Sequence, residues 1–112
     1  MITGKGFLGS YVVEKLKEKG ARDIFVPNSK DFDLREKKKC EEVVRGSDIV
    51  IHLAAQIDVR CSVEDPPADA RVNIMGTLNI AHASAKAGVK KFIFTSSGGA
   101  MYPDTLRPPY SE

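Results

Sequence analysis

The chain has 112 residues and a formal charge of +2, from 17 Lys or Arg against 15 Asp or Glu. That length fits one domain with a real hydrophobic core, and so small a charge excludes the strong field that draws nucleic acid or an anionic membrane surface. The two cysteines, Cys40 and Cys61, belong to no C-x-x-C or Cys/His cluster, so no metal is expected, and without a signal peptide or long apolar span the expected setting is reduced and cytoplasmic.

Met1-Ile2-Thr3 reads as a very short strand, followed by Gly4-Lys5-Gly6-Phe7-Leu8-Gly9, a G-x-G-x-x-G loop. Glycines let the backbone approach an anion, and the following helix aims free N–H groups and a positive dipole end at it. Leu8, Val12 and Leu16 recur every fourth residue and Gly20 closes the run, which predicts a helix. Asp23-Ile24-Phe25-Val26 then predicts a second strand. Strand, glycine loop, helix and strand in this order are the context in which such a loop binds a dinucleotide.

Only four residues separate Val26 from Asp31-Phe32-Asp33-Leu34, too few for a crossover between parallel neighbours, so that segment is expected to be an extended loop or a stub strand. Lys37-Lys38-Lys39, set between Glu36 and Glu41-Glu42, reads as a solvated helix face. Ile49-Val50-Ile51-His52-Leu53-Ala54-Ala55 is a continuous apolar run suited to a strand buried on both faces, hence to a parallel sheet. A long helix is predicted from Asp69 to Ala87, stopped by Gly88, and Lys91-Phe92-Ile93-Phe94-Thr95 follows as another buried strand. His52 and His82 both read as packing residues. The tail after Gly99, with Pro103, Pro108 and Pro109, is expected to lie over the surface. Alternating strands and helices with short loops give an α/β fold, a doubly wound parallel sheet.

Four stretches together resemble one family: Thr3-Gly4-x-Gly6-Phe7-Leu8-Gly9-Ser10, His52-Leu53-Ala54-Ala55-Gln56, Asn73-x-x-Gly76-Thr77-Leu78-Asn79, and Phe92 to Tyr102 with Ser96-Ser97-Gly98-Gly99 at its centre. In order and spacing they are similar to the extended short-chain dehydrogenase/reductases, in particular the nucleotide-sugar epimerases and dehydratases such as UDP-glucose 4-epimerase. The resemblance implies a Rossmann-like, NAD(P)-binding domain over residues 1–112, incomplete and truncated at both ends. The loop is one residue shorter than the family's T-G-x-x-G-x-x-G, and the first strand lacks the apolar residues that normally precede its threonine.

By the same resemblance, Gly4, Gly6, Phe7, Leu8 and Gly9 would contact the cofactor pyrophosphate, Asp33 and Leu34 would face the adenine, and Leu53, Ala54 and Ala55 would line the cofactor site. Ser97 would be the catalytic hydroxyl holding a sugar oxygen near the nicotinamide, with Ser96 its nearest competitor. The cofactor is NADP or NAD. No acid directly follows Val26, whereas Asn28, Ser29 and Lys30 can all donate to a 2′-phosphate, and Phe25 to Leu34 resembles the matching part of the GDP-fucose synthases, which use NADPH. That favours NADP. The implied partners are a nucleotide-sugar substrate and a second copy in a homodimer, with no nucleic acid and no membrane.

The family's base is a tyrosine acidified by a lysine four residues on. Tyr102 and Tyr110 have no such lysine, and Tyr11 with Lys15 lies on the first helix, where i, i+4 spacing simply places two residues on one face. The chain alone is therefore expected to bind cofactor weakly and without turnover. Two other classes of answer use the same residues: a non-catalytic dinucleotide-sensing module, and a cofactor-free remnant that pairs through its exposed last strand.

Overall fold

The apolar run Ile49–His52 forms the central strand of the sheet in a computed structural model of the chain, which describes residues 1–28 and 30–97. Strand β1 (Ile2–Thr3) lies on one side of it and β3 (Lys91–Phe94) on the other, so that Ile49–His52 is β2 and both pairings are parallel. Thr3 stands beside His52, and His52 beside Phe94.

Parallel neighbours require helical crossovers. The first crossover carries α1 (Phe7–Glu18) and α2 (Lys37–Val43). The second carries α3 (Val59–Glu64), α4 (Pro66–Ala70), a π-helical segment Arg71–Gly76, and α5 (Thr77–Lys86). Asp58 and Asp65 cap α3 and α4 by accepting from the N–H groups of Arg60 and Ala68, the usual use of aspartate at a helix start. Leu34, Cys40, Val44, Val50, Ile80 and Ala83 form the buried core, where α2 and α5 meet the sheet. The expected α/β parallel sheet is therefore present, and residues 31–34 form the expected loop.

Several elements differ from expectation. Asp23–Val26 is not a strand: its link to β1 is a backbone bond from Ile2 N–H to Phe25 O, 2.9 Å. A two-residue partner offers little ladder, and Pro27 has no N–H to extend it. β2 ends at His52; Leu53 still donates its N–H to Thr3 O at 3.0 Å, Ala54 and Ala55 run on past the strand, and Ile49 is exposed rather than buried. β3 is likewise not a buried strand, since Ile93 and Phe94 are both exposed. Helix begins at Pro66, three residues before the expected start, because Asp65 caps it and proline is favoured in a first turn. α3 lacks a clear apolar period, so its sequence alone does not announce it. His52 is a packing residue, only 1% exposed, but His82 is exposed. The expected surface tail after Gly99 lies outside the described residues.

Candidate functional site

The loop between β1 and α1 is shaped by two glycines. Gly4 has φ +86°, and a β-carbon there would stand 2.7 Å from the Ala54 backbone nitrogen, so only glycine lets the first strand end against the second. A β-carbon on Gly9 would stand 1.8 Å from the Gly4 carbonyl oxygen. The shortened loop therefore closes directly onto its helix. Gly6 begins α1 with no side-chain cap, the first turn holds no acid, and Lys15 and Lys17 occupy the last turn. The start of α1 consequently keeps N–H groups and positive dipole available to an anion.

In front of this loop, at the carboxyl ends of β1 and β2, opens a cavity of about 1010 Å³. Six of the sequence-predicted residues line it: Gly4, Gly6, Asn28, Asp33, Leu34 and Ala54. Lys5, Val26, Pro27, Phe32, Arg35 and Val72, none of them predicted site residues, also line it. Lys5 is the variable residue of G-x-G, and Arg35 follows directly on Asp33-Leu34, so an acid and a base two residues apart were the available signal. Val72 had none, because tertiary packing alone brings it there.

The other predicted residues that the structure describes fall outside this lining. Phe7 is 95% exposed and Leu8 51% exposed at the start of α1. Gly9 is buried beneath Gly4, with a Leu53 methyl against it. Ala55 is exposed beyond β2, Lys30 is exposed, and Ser96 and Ser97 are exposed just past β3. Ser29 lies outside the described residues.

Charge in the cavity is organised by Asp33 and Arg35. Their side chains form a forked pair, with Nε 2.9 Å from both carboxylate oxygens and one terminal nitrogen 2.6 Å from Oδ2. The hydrogen bonds from Arg35 hold the Asp33 carboxyl below the usual carboxylate range. Asn28 Oδ1 accepts from the Lys30 N–H at 3.1 Å, which leaves the Asn28 amide N–H groups as donors. Tyr11 and Lys15 behave as surface residues: Tyr11 is exposed, and Lys15 pairs with Glu18 at 2.7 Å.

Behind the cavity runs a chain of polar contacts. Thr3 Oγ1 lies 2.6 Å from His52 Nδ1, and His52 Nε2 lies 3.1 Å from Thr77 Oγ1. Thr77 Oγ1 donates to the Asn73 carbonyl at 2.7 Å. The Asn73 amide then clamps the Gln56 backbone, accepting from its N–H at 2.8 Å and donating to its carbonyl at 2.9 Å. Burial lowers the His52 pKa. Among the described residues no buried side-chain N or O lacks a partner, and no His, Cys, Asp and Glu group could hold a metal ion.

A glycine loop closing a parallel strand onto an uncapped helix, with a cavity across the strand ends, defines an α/β dinucleotide-binding domain. The model of the NAD dependent epimerase/dehydratase family matches residues 1–112, and the chain belongs to that family. It is 35% identical to the UDP-glucose 4-epimerase of Mycolicibacterium smegmatis, covering 100% of this chain and 42% of that protein. The UDP-glucose 4-epimerase of Thermus thermophilus, solved in complex with NAD, is 34% identical with a TM-score of 0.81, over 99% of this chain and 41% of that one. A GDP-mannoheptose C4 reductase from Campylobacter jejuni, solved with NADP bound, is 26% identical with a TM-score of 0.84, over 98% of this chain and 33% of that one. The chain thus spans well under half the length of these relatives. The expected Rossmann-like architecture is that of these neighbours.

Proposed function

We propose that residues 1–112 form the cofactor-binding domain of an NAD(P)-dependent enzyme that moves hydride at a carbon of a nucleotide sugar. The observation that carries this reading is the cavity bounded by Gly4, Lys5 and Gly6 at the uncapped start of α1. A β-carbon on Gly6 would meet nothing within 4 Å, so the loop leaves open space where a pyrophosphate would lie. Gly4, Gly6 and the first N–H groups of α1, including those of Phe7, Leu8 and Gly9, would hold that pyrophosphate. Leu53, Ala54 and Ala55 would border the cofactor at the end of β2. Bound nicotinamide would supply the hydride acceptor and donor. Ser97, or Ser96 beside it, would hold a sugar oxygen from the end of β3.

NADP is the favoured cofactor. Asn28 keeps its amide donors, Lys5 and Arg35 add positive charge to the same cavity, and Asp33 is already engaged by Arg35. Lys30, exposed beside Asn28, and Ser29 would complete the donors around a 2′-phosphate. Two free cysteines suit a reducing, cytoplasmic setting. Ile74, Met75 and Leu78 are exposed along the π segment and α5, which supports pairing of two copies.

Titration of NADPH and NADH into the 112-residue chain, followed by nicotinamide fluorescence, tests the reading. Saturable binding with NADPH tighter supports it, and no response at millimolar cofactor would sink it in favour of a cofactor-free remnant.

A further inference from the structure

We propose that His52 is a positioning residue which, as the neutral Nε2–H tautomer, latches the strand carrying the glycine loop to the helix behind the site. The tautomer follows from the partners. Thr77 spends its single hydroxyl proton on the Asn73 carbonyl, 2.7 Å away, so toward His52 Nε2 it acts as an acceptor and Nε2 carries the proton. Nδ1 is then bare and accepts from Thr3 Oγ1. The direction of every hydrogen bond in the chain is fixed from Thr3 to Asn73.

Two residues of the cavity wall, Gly4 and Ala54, and the loop that continues from β2 depend on this chain. Thr3 immediately precedes Gly4, whose backbone packs on Ala54. His52 itself leads into Leu53 and Ala54. Asn73 fixes Gln56 at both its N–H and its carbonyl, and so the far end of the loop after β2. The groups facing the ring are Thr3 of β1, Phe92 and Phe94 of β3, and Thr77 of α5, and none of these is charged. A proton added at Nδ1 would therefore face a hydroxyl already oriented as a donor. The Thr3 hydroxyl would have to swing its own proton off the ring and accept from Nδ1 instead, which reverses the first bond of the chain at the strand feeding the glycine loop. That this loop holds a cofactor rests on the function proposed above; the latch itself does not.

The test uses the 112-residue chain labelled with nitrogen-15. Two-bond proton–nitrogen spectra at neutral pH are expected to show His52 with Nε2 protonated and Nδ1 bare, against the exposed His82 as an internal reference; a protonated Nδ1 overturns the proposal. Thr77→Val keeps the shape and removes the acceptor. It should speed exchange of the Leu53 amide, which donates to Thr3 O at 3.0 Å, by about tenfold, the equivalent of one lost buried hydrogen bond. Thr77→Ser should restore the wild-type rate. Unchanged exchange in Thr77→Val overturns the latch. In the wild type the Gly4 and Lys5 amide shifts should follow the His52 ring titration and become flat in His52→Gln, whereas a flat wild-type profile would again overturn it. A wild-type chain that passes these tests yet binds no nicotinamide cofactor refutes the proposed function and leaves the latch standing.

Discussion

Gly9 lies directly beneath the carbonyl of Gly4: a β-carbon added at Gly9 would fall 1.8 Å from that oxygen. No rotation of a methyl relieves such an overlap, because its neighbour is backbone. The loop is short enough that strand end and helix first turn touch, and glycine at position 9 is what permits it.

Gly9→Ala should therefore destabilise the fold by about 2 kcal/mol or more, through overpacking that the backbone must absorb. Gly6→Ala, where a β-carbon meets open space, should cost under about 1 kcal/mol. Urea midpoints of the two variants check this. Equal losses would mean that the contact between Gly9 and Gly4 does not limit the loop.

His52 is buried and neutral, and its folded-state pKa lies below the ordinary value. Unfolding exposes the ring and returns it to about 6.5, so between the two values the unfolded chain binds more protons than the folded one. Stability should accordingly fall as pH drops below about 6.5 and level off once the folded ring also protonates. His52→Gln should remove this part of the pH dependence. His52→Ala should cost about 3 kcal/mol, since it opens a cavity and leaves the buried Thr3 hydroxyl without its partner. Thermal midpoints between pH 5 and 8 distinguish these behaviours, and a wild-type midpoint that does not vary with pH would contradict them.

The two cysteines should separate cleanly by reactivity. Cys40 is fully buried, its thiol directed at the Leu34 carbonyl at 3.4 Å, and desolvation first, then Asp33 and Glu36, pushes its pKa up to about 11. Cys61 is exposed. With a maleimide near pH 7.5, Cys61 should label promptly. Cys40 should lag by at least roughly a hundredfold, because its raised pKa alone reduces the thiolate population that far. Adding urea should bring Cys40 to a normal rate. Mass spectrometry of quenched samples assigns each site.

What could be read from the sequence divides along a physical line. Gly4, Gly9, the run Ile49–His52 and the helix ended by Gly88 were legible because backbone sterics or a local apolar period dictates them. Asp23–Val26 has the composition of a strand but meets only two residues of β1, so its local preference has almost no ladder to join. The π segment was not legible either: Gly76 packs so closely under Leu34 that a β-carbon there would stand 3.0 Å from the Leu34 β-carbon, a contact between residues far apart in the chain. The same is true of the site. Glycines and strand-end residues were foreseen, whereas Arg35 and Val72 reach the cavity only through the tertiary packing of the segments that carry them.

Arg35 provides the sharpest test of cofactor preference. Its guanidinium is paired with Asp33 at the cavity, and the two side chains are 53% and 35% exposed, so the pair should contribute little to folding. Arg35→Ala should leave the urea midpoint where it was. If the cavity binds the adenosine end of NADP, the same change removes a charge-assisted donor from the neighbourhood of the 2′-phosphate and should weaken NADPH about tenfold, with NADH changed by about twofold or less. Asp33→Asn should act in the opposite sense, because it frees the guanidinium and removes a negative charge that opposes the phosphate. Fluorescence titrations of both cofactors against the two variants read this directly. Equal weakening of NADH and NADPH by Arg35→Ala would mean that Arg35 supports the cavity generally and does not distinguish the phosphate.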